Sequence, residues 1–153
     1  MLRITLAVLH LVALGIGLGA VYGRGRSANR LGESPQTLRA TFAADNWWGF
    51  AALLWISTGL WRAFAGTEKA SSYYWSNHVF YAKMGLLALI FVLELFPMIT
   101  LMGWRKASQR GLIDSNQLAR KGRIIARISD VQLLLVIGMV IAAVMMARGY
   151  GAR

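Results

Sequence analysis

Three ionisable residues fall inside long apolar stretches of this chain: His10, Lys83 and Glu94. A charge or a titrating group at membrane depth is expensive, so each is a candidate for function. An imidazole in a dry setting can ligate a metal or move a proton. An ammonium can hold a carboxylate through charge-assisted hydrogen bonds. Two further groups belong at the same level, His78 just before the third apolar stretch and Arg62 at the end of the second. With about 1.5 Å of helix rise per residue, His10 lies roughly 9 Å and Lys83 roughly 6 Å below the same membrane boundary.

Counter-charge is scarce there. Of the six acidic residues, Glu33, Asp45, Asp114 and Asp130 belong to the opposite side, and Glu68 sits in a loop. Glu94 is on the helical face of Lys83 but roughly 16 Å deeper. A buried cation without a partner is unfavourable, so an anionic ligand from outside the chain is expected to complete the cluster. Plainer roles stand beside these. Lys83 can snorkel to the interface, His10 can be a neutral ring bonded to a backbone carbonyl, and His78 can be an interfacial residue. Glu94 can pair with Arg24 or Arg105, or be protonated. Gly17, seven residues after His10 and on its face, would leave room for a flat group such as a porphyrin.

These residues must be positioned by helices, because the apolar runs are continuous and do not alternate. Four segments are expected to cross the bilayer: Ile4 to Tyr22, Asn46 to Trp61, Val79 to Trp104 and Val131 to Ala147. The fourth is expected to begin as an amphipathic helix on the membrane surface. The first resembles an export signal in its charge and apolar pattern, and is expected to be retained as a helix. The fold class is therefore all-α, one four-helix transmembrane domain over residues 1–153.

Orientation follows from the basic residues. Eleven Lys and Arg flank the connections after segments one and three, Arg24 and Arg105 among them, against five on the other side. The positive-inside rule puts those connections in the cytoplasm and both termini in the periplasm of a bacterial inner membrane. The same pattern assigns the net charge of +11 to lipid head groups rather than nucleic acid. There is no cysteine, which removes disulfides, thiolate metal sites and cysteine nucleophiles. Phosphate-binding glycine loops, zinc spacings and Ser-His-Asp sets are likewise missing from the sequence.

Trp47, Trp48, Trp61, Tyr73, Tyr74, Trp75 and Trp104 lie near segment ends, as an interfacial aromatic belt would. Trp55 or Trp61 could instead line a ligand pocket. Small residues at helical spacing, Gly15, Gly19 and Gly23 in segment one and Gly49, Ala52 and Gly59 in segment two, suit close packing within the bundle or a homodimer equally.

Nearly the whole chain resembles a bacterial family of small four-helix membrane proteins, through Leu9-His10-Leu11, Ala44 to Gly49, Thr58 to Phe64, Asn77-His78, Ala82-Lys83-Met84, Glu94 and Pro97-Met98. More distantly, the Leu-His of segment one and the Ala-Lys-Met-Gly-Leu of segment three resemble HemJ-type protoporphyrinogen oxidases and CopD-like membrane proteins. That resemblance implies a heme b oxidoreductase with His10 and Lys83 as the functional pair, His10 as iron ligand and Lys83 as catalytic partner, and it extends to no other residue. Position and charge add His78 as a second ligand and Arg62, with Lys83, as a holder of carboxylates. A porphyrin or a quinone would be the ligand. The tryptophan-rich continuation that follows the family's histidine is replaced here by Leu-Val-Ala-Leu-Gly-Ile-Gly. The alternatives are a CopD-like metal permease, for which seven scattered methionines with Met145-Met146 as the only adjacent pair are thin support, and a non-catalytic partner or assembly subunit.

Overall fold

A computed structural model describes residues 1–65, 75–111 and 114–151. Four α-helices account for nearly all of it: α1 (Leu2–Ala28), α2 (Pro35–Phe64), α3 (His78–Gln109) and α4 (Ser115–Ala147). All are longer than the apolar runs that announced them, because each continues through its polar flank. The surface helix expected before segment four is the first half of α4, unbroken. At 27 to 33 residues they span roughly 40–50 Å, against a hydrocarbon layer of about 30 Å. The helices are therefore longer than the hydrocarbon layer is thick.

Three helices, α1, α3 and α4, are long and apolar enough to cross a membrane. The fourth, α2, is diluted by tryptophans and bounded by Asp45 and Arg62. It nonetheless runs between the same two ends, since Thr58 meets His10 near the start of α1 and Asp45 meets Arg24 near its finish. The order is up-down-up-down, with both termini at one end. Leu53 on α2, Ile99 on α3 and Leu134 on α4 are each at least 67% exposed. An apolar exterior of that kind needs lipid against it.

Packing follows a row: α2 against α1, α1 against α4, α4 against α3. At the end away from the termini, Leu101, Ile125 and Trp104 build a core with Ala28 and Leu118. Trp104 and Trp48 are each only 7% exposed. They are core residues, contrary to the belt expected for them; Trp47, Trp61 and Trp75 are exposed. Tyr73 and Tyr74 lie outside the described residues. The glycine expectation also shifts face. Gly15, Gly19 and Gly49 meet no neighbour within 4 Å, whereas Gly17, Gly25 and Gly122 sit where helices touch.

The terminus end is tied by one asparagine. Asn77 caps α3 by accepting from the backbone N–H of Val79 (2.9 Å) and Phe80 (3.3 Å), and its amide donates to the Tyr150 carbonyl (3.1 Å). The tail reaches it because α4 ends in a left-handed turn at Gly149 (φ +86°). There Tyr150 N–H bonds back to Met145 and Gly149 N–H to Met146. Asn77→Ala should therefore lose about 1 kcal/mol of cap energy and release the tail. A lower melting midpoint in detergent, with faster exchange of the amide N–H of Val79 and His78, would register both.

Candidate functional site

At the terminus end the row of helices opens into a cavity of about 330 Å³. Side chains of all four helices line it. His10, Arg62 and Lys83 are among them, with Trp55, Phe80 and Met139. Phe64 and Phe80, at 6.3 Å between rings, bridge α2 and α3 at its rim. Leu11, Leu60 and Val144 belong to its wall and are substantially exposed, so the cavity reaches the lipid-facing surface.

His10 is held by one stretch of α2. Its Nδ1 lies 2.9 Å from the Thr58 hydroxyl. Its ring stacks on Trp55, with centroids 5.6 Å apart and planes inclined by 28°. Gly59 supplies the floor: a Cβ there would stand 3.1 Å from His10 Cε1. Trp55, Thr58 and Gly59 follow one another within little more than one helical turn, so one face of α2 cradles the ring. Among the described residues nothing bonds to Nε2, and no carboxylate contacts Lys83. Glu68, the external acid of the sequence argument, lies outside the described residues.

Two of the expected site residues are elsewhere. His78 is the first residue of α3; its side chain is exposed and its backbone N–H donates to Gly151 (3.2 Å). It does not line the cavity with His10. Gly17 opens no space beside the imidazole. Its missing side chain is filled by Trp48 and Ala51 at 3.6 Å, and it lines a separate cavity of about 50 Å³ that Glu94 also lines. The accommodating glycine is Gly59, which the spacing had marked only as a packing residue. Thr58 stood only within a stretch of family resemblance with no role attached, since its role depends on a residue 48 positions away.

The second polar centre lies deeper. Arg24 is fully buried, and all five of its N–H donors are used. Nε donates to Ser129. Nη1 donates to Asp45 and Glu94, and Nη2 to Glu94 and Gln132. Gln132 in turn donates to Glu94 (2.8 Å) and to the Ile90 carbonyl. Arg105 closes the set on Asp45 at 2.9 Å. Two cations and two carboxylates balance. The expected Glu94–Arg24 pair is thus present, as a bidentate fork that clamps four helices. Arg24 itself is not a loop residue flanking the membrane, as the charge pattern suggested, because α1 continues past it.

Metal-site chemistry at His10 involves no cluster of three His, Cys, Asp or Glu among the described residues. Met145 and Met146 diverge: Met146 lines the cavity and Met145 faces outward at 40% exposure.

The model of a family described as "Predicted membrane protein (DUF2214)" matches residues 2–151. The chain belongs to that family. No curated protein and no solved structure matches it. Membership in DUF2214 agrees with the lipid-facing exterior and fixes an integral membrane protein; the family's description assigns no activity. The His10 cavity and the Arg24 clamp are therefore read from this member's own residues.

Proposed function

We propose that this DUF2214 protein binds heme b in the His10 cavity and serves as a membrane oxidoreductase or electron-transfer protein of the bacterial inner membrane. One observation carries the proposal: an imidazole with one nitrogen anchored, and the other bonded by no described residue, shares an apolar cavity with Lys83 and Arg62. An anchored imidazole is the usual form of a histidine ligand. The iron would supply one-electron chemistry and its potential would be tuned by the surroundings. His10 would ligate it, Lys83 and Arg62 would hold carboxylates of the ring substituents, and the apolar walls would keep water out. The volume is at the small end of ligand sites, roughly 300–1,000 Å³, and the cavity reaches the lipid-facing surface, where a larger ring can extend.

A soft-metal site has some support, since Met84, Met139 and Met146 line the same cavity as His10. Lys83 in its wall, which no described carboxylate contacts, favours an anion-bearing ligand instead.

The test is a heme titration of the detergent-purified protein. Wild type should give a Soret band distinct from free heme, and His10→Ala should lose it. Lys83→Met should keep the ligated spectrum but bind roughly ten-fold more weakly, the value of one charge-assisted hydrogen bond. Identical spectra for wild type and His10→Ala would defeat the proposal.

A further inference from the structure

The geometry points to Thr58 as the residue that fixes the tautomer of His10, placing the proton on Nδ1 and leaving the Nε2 lone pair for a ligand. The argument is one of proton counting. The Thr58 hydroxyl has a single proton and two neighbours that can only accept, the carbonyls of Leu54 at 2.7 Å and Trp55 at 3.1 Å. Two oxygens 2.7 Å apart require a proton between them. The hydroxyl therefore donates to its own helix. Its oxygen is left as an acceptor, and His10 Nδ1 at 2.9 Å must be the donor. A neutral imidazole carries one N–H, so Nε2 is bare.

The arrangement is buried and constrained. Thr58 is 5% exposed, and the Trp55 stack with the Gly59 floor fixes the ring plane in which the two nitrogens lie. No described residue competes for Nε2. In water the other tautomer is the commoner one for a histidine side chain. The hydroxyl thus selects the form that the isolated residue disfavours, and it is the form an axial ligand through Nε2 requires. Thr58 is a positioning residue: it acts through His10 and need not touch the ligand. Its consequence for heme rests on the function proposed above, whereas the tautomer does not.

The decisive measurement is nitrogen NMR of the purified protein carrying ¹⁵N-histidine, with no heme added. Only two histidines are present, and a His78→Asn variant assigns the remaining ring to His10. Wild type should show a protonated Nδ1 and an unprotonated Nε2. Thr58→Val keeps the shape but removes the hydroxyl, and should lose that preference. Thr58→Ser, which retains the hydroxyl, should restore it. An Nε2-protonated ring in wild type, or an unchanged ring in a folded Thr58→Val protein, would overturn the assignment. In a parallel heme titration Thr58→Val should bind about 10–100-fold more weakly, as loss of an outer-shell partner does, and Thr58→Ser close to wild type. If wild type shows the expected tautomer but no heme spectrum, the heme function fails and the role of Thr58 stands.

Discussion

Arg24→Met is expected to destabilise the bundle by about 3–5 kcal/mol, the cost of breaking a buried ion pair from one side. The magnitude follows from what remains. Glu94 would keep Gln132 alone, and Asp45 would keep Arg105 alone. Ser129 and the Gln132 carbonyl would lose their donor. Removing one partner of a satisfied network strands the others at their full desolvation cost, which exceeds what the bond itself contributed. Arg24→Lys should rescue only in part, because an ammonium cannot present the planar fork that meets both Glu94 oxygens at 2.7 and 2.9 Å. Arg24→Met combined with Glu94→Gln should be more stable than Arg24→Met alone, since the stranded charge is then gone. The melting midpoints of the three variants in one detergent test this. A double variant no more stable than the single one would mean that the carboxylate is not the source of the cost.

Gly122→Ala is expected to destabilise the contact between α1 and α4. A Cβ at that position would lie 2.5 Å from the backbone oxygen of Ala28 and 3.1 Å from Leu31 Cβ. A flexible side chain can turn away, but a carbonyl at the end of α1 cannot without moving the helix. Overpacking of this kind costs about 1–3 kcal/mol, and more where backbone must shift. Gly138→Ala is the control. Its new methyl would meet Leu86 Cδ1 at an ordinary 3.5 Å, so the gain in helix propensity, about 1 kcal/mol, should leave it neutral or stabilised. Parallel thermal melts should separate the two variants clearly; equal midpoints would show that α1 and α4 are free to slide.

Both effects arise where helices converge, and that marks the boundary of what a sequence can say. The one-dimensional pattern carried the membrane class, the four helices and the ionisable residues His10, Lys83 and Glu94 at depth, but not Gln132 or Ser129. The reason is that hydrophobic run length and ionisable residue type are local properties, and lipid imposes the same demand on each segment separately. It also offered Arg24 and Arg105 as partners for Glu94, beside a protonated carboxyl, because few bases were within reach. Which one it was, and how, depended on α1 continuing to Ala28 and delivering Arg24 inside the bundle. Charge patterning counts basic residues near membrane edges and is blind to burial, so Arg24 read as a flanking charge.

The His10 site divides in the same way. Residue type and depth brought His10, Arg62 and Lys83 to one level. They did not reveal that His78 faces out from the start of α3, or that Gly17 is covered by Trp48. A helical period of 3.6 gives a residue's face, but the neighbour of that face is chosen by the packing of another helix. Thr58 and Gly59 became functional candidates only because α2 lies antiparallel to α1 with those two positions opposite His10. Hydrogen-bond geometry across 48 residues of chain has no sequence signature; the tertiary fold alone decides which hydroxyl meets which ring nitrogen.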